Sequence, residues 1–203
     1  MEKIVKKGFT MKYIEKKNAL RICYYLMAAD GVIRDEEREK FNELGYLLDD
    51  DKYDTYKDDL LWQCGRISLT SPQGDHVFNL MDAIGRELKG ITESSSMDTI
   101  PGRLLVWNML TIALCDKDYD EGERRLIEEV VRRMDVDATD FKEMEQTLVA
   151  ANAAWREEQM IRAREAGNPD VEYQLKNLRE RSRVIEMNAK EHMRTNRSST
   201  VTK

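Results

Sequence analysis

The hydrophobic positions of this sequence recur mainly at spacings of three and four residues, which is the period of an amphipathic α-helix. The first such stripe consists of Leu20, Cys23, Tyr24, Met27 and Ala28. We find no alternating runs rich in Val and Ile, so no sheet is predicted. The predicted helices cover residues 18–30, 35–48, 52–69, 75–89, 101–115 and 121–134, another begins near residue 139, and a last one covers 170–194.

The segments between these helices carry turn signals. Gly31 is a natural residue for the end of the first helix, and the acidic run at 49–51 predicts a solvated turn between the second and third. Residues 92–99 are polar and predict a surface loop. Pro101 suits the first turn of the helix that follows.

Composition agrees with a helical fold. The chain has 203 residues, of which 35% are charged, and only 10 Gly and 3 Pro. Such a composition favours helices over a β-sandwich or barrel. We predict an all-α bundle at 1–150 and a charged helical extension at 151–203 with a disordered end. Three interpretations of the helix at 170–194 remain open: it packs on the body, it mediates self-association or partner docking, or it is free.

Charge and cysteine content narrow the function classes. Residues 1–150 carry 22 basic and 31 acidic side chains, so this part is not expected to bind nucleic acid. No apolar run reaches the roughly 20 residues that span a bilayer, and no signal-peptide core follows the basic N-terminus, which predicts a cytoplasmic location. The odd count of three cysteines, Cys23, Cys64 and Cys115, predicts buried free thiols.

Two segments match each other at an offset of 86 residues. Each is an apolar helix ending in an Asp, then a short turn, then a helix with a Glu seven residues after that Asp. The Asp and Glu are Asp30 and Glu37 in the first segment and Asp116 and Glu123 in the second. The match continues downstream through apolar positions, so the sequence predicts two related helix-turn-helix units.

These turns concentrate carboxylates. An Asp at a helix C-terminus faces the negative end of the helix dipole, and a hard cation such as Ca²⁺ or Mg²⁺ would compensate it through oxygen ligands. The alternative is that the acids are helix caps, since the last Asp and Glu of the second unit have the spacing of a capping box. An ordinary EF-hand is excluded because Glu121 and Ile127 replace its required Gly and Glu. The candidate metal ligands are Asp30, Glu37, Asp116, Asp118, Asp120 and Glu123.

At these motifs the sequence resembles the tellurite-resistance TerB-like family, whose signature is similar to A-D-G-x-I-x-x-x-E. Residues 29–37 read Ala-Asp-Gly-Val-Ile-Arg-Asp-Glu-Glu, and residues 115–123 form the second, less similar copy. The resemblance covers about 15–150 and implies an all-helical, internally duplicated fold that chelates metal. Lys117 stands where the second copy usually has Gly, and its ammonium group could pair with Asp116 or Glu123 in place of a metal.

The resemblance implies a scaffolding or sensing module of a bacterial stress-response or defence system. Its partners would be other proteins of that system, with peripheral membrane association through them. No phosphate loop, nucleophile elbow or H-E-x-x-H motif is present in the sequence, and His76 has the position of a helix-start residue, so no enzyme activity is predicted. The alternatives are a metal-dependent hydrolase that uses the same carboxylates, and a nucleic-acid or membrane-surface binder that uses the basic C-terminal helix.

Overall fold

The computed structural model of the chain describes residues 11–69, 76–115 and 119–164, together with residues 173, 175–177, 179, 180, 183, 184, 187, 189 and 191. The fold is all-α, as the sequence predicts, with one small sheet. In chain order the elements are strand β1 (Tyr13–Glu15), helices α1 (Lys16–Met27), α2 (Asp35–Leu69) and α3 (His76–Glu87), a 3-10 turn (Leu88–Gly90), strand β2 (Thr99–Pro101), and helices α4 (Gly102–Ala113), α5 (Glu121–Arg133) and α6 (Ala138–Arg164).

Helices α1 and α4 form the centre of the core. The predicted stripe of α1 is buried, and α4, the most apolar segment of the chain, is buried along nearly its whole length. The two helices contact each other, while α1 also packs against α2 and α3, and α4 also packs against α5 and α6. Burial of this apolar surface is the main source of the stability of the fold.

The two strands correct the prediction that the chain has no sheet. They pair antiparallel, with Ile14 opposite Ile100 at the middle position. Thr99 belongs to β2, so the predicted surface loop at 92–99 ends one residue earlier, and Pro101 closes the strand instead of opening a helix. Three-residue strands are too short to show an alternating pattern, and each finds its partner in a distant part of the chain.

Helix α2 consists of two helical segments that meet at a kink, and these correspond to the two helices predicted at 35–48 and 52–69. The kink lies at Asp50, whose φ of 34° and ψ of −120° are not helical. The hydroxyl of Tyr53 donates to Asn42 Oδ1 over 3.2 Å, and Tyr46 donates to Asp54 Oδ1 over 2.6 Å. Such contacts cannot form along a straight helix, so the two halves fold back on each other and one residue makes the predicted turn.

The element boundaries recur at the offset of 86 residues. Strand β1 and helix α1 begin and end 86 residues before β2 and α4, and α2 begins 86 residues before α5. In the sheet, Ile14 therefore pairs with its own counterpart, Ile100. This agreement supports the predicted pair of related units, whereas their origin by duplication stays a prediction.

The described residues of the C-terminal segment lie on the body. Leu175 is buried, Ala189 packs against the core, and Arg179 forms an ion pair with the buried Glu158 of α6. These contacts fit the first of the three interpretations. Helix α6 runs without a break past residue 150, where we placed the boundary of the extension, and the predicted disordered end lies outside the described residues.

Candidate functional site: two acidic turns and the α4 groove

The first acidic turn, between α1 and α2, is held by its own side chains. Asp30 Oδ1 accepts a hydrogen bond from the Val32 amide over 2.8 Å, and Asp30 Oδ2 pairs with Arg34 Nη1 over 2.8 Å. Glu37, only 2% exposed, accepts from the Arg34 amide through Oε2 over 2.8 Å. Gly31 has a φ of 85°, a conformation that favours glycine. The negative charge of Asp30 is therefore compensated within the turn.

The second acidic turn, between α4 and α5, ends in a complete capping box. Asp120 Oδ1 accepts from the Glu123 amide over 2.8 Å, and Glu123 Oε2 accepts from the Asp120 amide over 3.0 Å. The capping role that the spacing indicates is confirmed for these two residues. Asp116, Lys117 and Asp118 lie outside the described residues.

Arg34 and Asp120 occupy the same place in the two turns. Each lies 86 residues from the other, directly precedes a helix, and donates its amide to the buried Glu three residues later. Their side chains carry opposite charges. The first turn thus contains a guanidinium group that neutralises Asp30, and at this place the second turn has a further carboxylate.

The six candidate metal ligands differ in what surrounds them. Across the described ranges, the structure gathers no group of three or more His, Cys, Asp or Glu side chains that could hold a metal ion. Two of the six candidate ligands are not among the described residues, and the other four are engaged as turn and cap acceptors. Metal binding by Asp30, Glu37, Asp116, Asp118, Asp120 and Glu123 stays a prediction.

A side chain from a third helix forms a hydrogen bond with a backbone carbonyl at the start of each turn. His76 Nε2 donates to the Ala28 carbonyl over 2.5 Å, and Asn152 Nδ2 donates to the Leu114 carbonyl over 2.5 Å. Ala28 and Leu114 are the equivalent C-caps of α1 and α4, and their carbonyls have no acceptor role inside the helix. His76 therefore caps another helix, not its own. The sequence gives no signal for either contact, because the donors are 48 and 38 residues away.

A cavity of about 500 Å³, here called the α4 groove, lies between α2, α4, α6 and the C-terminal segment. Its end is formed by Leu114 and Cys115, directly before the second acidic turn. Just over half of its lining residues are apolar, three are basic, and Glu43 is acidic. Its further lining includes Lys40, Leu44, Leu47, Trp107, Asn108, Ile112, Leu148, Arg156, Arg183 and Met187.

Asn108 is a residue whose importance sequence reasoning missed. Its side chain lines the α4 groove at 3% exposure, and its Nδ2 has no hydrogen-bond partner among the described residues. An unsatisfied buried donor costs about 1–3 kcal/mol. The available signal was an amide inside the most apolar helix, since Asn is rarely buried without a reason.

The cysteines differ in environment. Burial raises the pKa of Cys23 to about 12 and that of Cys64 to about 11, which makes both thiols poor nucleophiles. Cys115 is only partly buried and lines the α4 groove, so the prediction that all three thiols are buried is wrong for this residue. Its position makes it a natural reporter of groove occupancy.

No family model, no curated protein and no solved structure matches this chain. Within the described ranges, no helix is both long enough and apolar enough to cross a membrane. The resemblance to the TerB-like family therefore stays a prediction.

Proposed function

We propose that this chain is a non-catalytic protein-interaction or adaptor module that responds to a divalent cation at its second acidic turn. The observation that carries the proposal is that Asp120 stands in the second turn at the place that Arg34 has in the first. In the first turn a guanidinium group compensates Asp30. In the second turn, a bound cation would compensate the negative charge of the carboxylates.

The ligand chemistry of the second turn suits Ca²⁺ or Mg²⁺. Its sequence supplies Asp116, Asp118 and Asp120 and the nearby Glu123, all with hard oxygen donors. A carboxylate has two oxygens, and each oxygen has two lone pairs. A carboxylate that caps a helix through one oxygen can therefore still bind a cation. Lys117 is the competing partner in this segment, and the balance between its ammonium group and a metal decides the response.

A cation at this turn would act on three helices. Asp120 caps α5, and the end of α4 is bound by Asn152 of α6. Fixing the turn would therefore fix the angle between α4 and α5 and the surface that they present to a partner. The setting we propose, a cytoplasmic stress-response or defence system of bacteria with partners from that system, comes from the TerB-like resemblance alone.

The test uses variants that keep the caps. Asp120→Asn and Glu123→Gln preserve a capping box while removing charge, since Asn and Gln fit the same two positions. In thermal melts of chelator-treated protein, Ca²⁺ or Mg²⁺ at 100 times its dissociation constant should stabilise the wild type by about 2.7 kcal/mol.

Both variants should lose this response, while Asp30→Asn, the matched control in the first turn, should keep it. Absence of any cation response in the wild type, or an equal loss in the control, contradicts the proposal. The adaptor role is tested separately by comparing what co-purifies with the wild type and with Asp120→Asn in Ca²⁺ and in chelator.

A further inference from the structure

We propose that the α4 groove is a binding site for a small organic anion whose apolar body carries a hydrogen-bond acceptor. The groove does not include the acidic turns, so this inference stands apart from the cation proposal. Three observations carry it: the volume of the groove with its apolar residues, the buried amide of Asn108, and two arginines that form no ion pair with any described residue.

The size and walls of the groove fit a small molecule. Its volume of about 500 Å³ lies in the range of roughly 300–1,000 Å³ that is typical of ligand sites. Leu44, Ile112 and Leu148 are buried and form an apolar interior. Leu47 and Met187 remain 51% and 60% exposed, although they line the same groove. An apolar ligand body would cover these two side chains.

The polar group inside the groove is the amide of Asn108. Its Nδ2 is buried and has no partner among the described residues, so the fold leaves one donor unsatisfied in the wall of the groove. A ligand with a carbonyl or similar acceptor would satisfy it. Buried polar groups that lack a protein partner are uncommon and call for such an explanation.

The charge of the groove selects an anion. Lys40 is paired with Glu43 over 2.9 Å. Arg156 and Arg183 are exposed and form no ion pair with any described residue. Two guanidinium groups that are unpaired within the described part of the chain thus flank the cavity, in a chain whose net charge is −6. Guanidinium groups bind carboxylates and phosphates through paired hydrogen bonds, so the anionic end of the ligand would lie here.

The experiment uses N-octanoylglycine, which has an apolar chain, an internal carbonyl and a carboxylate, and its uncharged match N-octanoylglycinamide. Alkylation of Cys115 by iodoacetamide, followed by mass spectrometry, reports occupancy of the groove. Buried Cys23 and Cys64 are internal references for the integrity of the fold. We expect the acid to slow alkylation of Cys115 in a saturable manner and the amide to do so only at about tenfold higher concentration.

Variants of the groove residues test which side chains contact the ligand. The double variant Arg156→Gln/Arg183→Gln should bind the acid about tenfold more weakly, whereas Arg125→Gln, an exposed arginine of α5 outside the groove, should bind like the wild type. Asn108→Leu should weaken N-octanoylglycine about fivefold and leave decanoate, which lacks the internal carbonyl, unchanged.

The proposal is overturned if the acid gives no protection, if the amide protects equally well, or if the double arginine variant binds like the wild type. Because both arginines are exposed, that variant should fold even if Asn108→Leu does not. None of these readouts involves a metal, so they succeed or fail independently of the cation titration.

Discussion

Ile14 pairs with Ile100, its own counterpart 86 residues along the chain, at the centre of the two-stranded sheet. The flanking pairs obey the same relation: Tyr13 faces Pro101, and Glu15 faces Thr99. If each strand took the place of the other, the same pairs of equivalent positions would still face each other. The sheet joins the starts of α1 and α4, the two helices at the centre of the core.

The first prediction concerns this pair. Both side chains are buried, so Ile14→Ala and Ile100→Ala should each lower the free energy of unfolding by roughly 2–5 kcal/mol. Since the residues face each other, the two effects should not add in the double variant. Urea unfolding of the four proteins in the cycle measures the coupling, and strict additivity would show that the pair does not act as one contact.

The second prediction concerns the side chains that cap α1 and α4. Asn152→Ala should cost about 1–2 kcal/mol of stability, because it removes the side-chain donor from the Leu114 carbonyl at the end of α4. His76→Ala should cost less, since the Ala28 carbonyl also accepts from the Gly31 amide. Asn152→Asp keeps the shape but removes the donor, and should cost at least as much as the alanine variant. Thermal melts at neutral pH measure this, and an unchanged melting temperature for Asn152→Asp would show that water replaces the contact.

The third prediction concerns the fold-back of α2. A Cβ at Gly45 would collide with the ring of Tyr53, so Gly45→Ala should lower stability by about 1–3 kcal/mol. Gly85 is the matched control: it lies within α3, where a Cβ meets nothing within 4 Å. Gly85→Ala should raise stability by about 0.5–1 kcal/mol through the better helix propensity of alanine. Equal effects of the two substitutions would contradict the close packing.

The fourth prediction concerns the start of α6. Hydrogen bonds from the amides of Thr139 and Asp140 lower the pKa of Asp137 below its ordinary value of 3.8. A carboxylate whose pKa is lower in the folded state stabilises the fold above its unfolded pKa, and this contribution is lost as pH falls through the folded value.

The matched comparison for this site is Asp137→Asn, which still caps the helix but does not titrate. The stability difference between the wild type and this variant, measured by urea unfolding, should be constant from pH 7 down to about pH 5 and should then shift in favour of the variant. A difference that does not change down to pH 3 would exclude Asp137 as the titrating group.

The helices were predictable because their stripes are long and regular. Leu20, Cys23 and Met27 are buried as the period indicates, and α5 begins at Glu121 as predicted. The strands were not predictable, since three residues carry no periodic signal and pairing depends on a partner elsewhere in the chain. The bend of α2 lies in the acidic run where a turn was predicted, but nothing in that run shows that Asp50 is the residue that changes the direction of the chain.

The candidate site was predictable in part. The capping box of Asp120 and Glu123 follows from local spacing, and the structure confirms it. The ion pair of Asp30 with Arg34 was not predicted, although the two residues are only four positions apart. The α4 groove combines side chains from four parts of the chain, so no local pattern could indicate it, and Asn108 was visible only as an unusual residue in an apolar helix.

The self-matching register of β1 and β2 has a consequence for half-molecules. A fragment ending near residue 69 would keep β1, α1 and α2 but lose the strand that β1 pairs with. The best available substitute for Ile100 is Ile14 of another copy, because the two strands already exchange without a change of register. Separated halves of this chain should therefore form symmetric dimers. In each dimer, two copies of the same strand would pair in the register that β1 and β2 have in the intact chain.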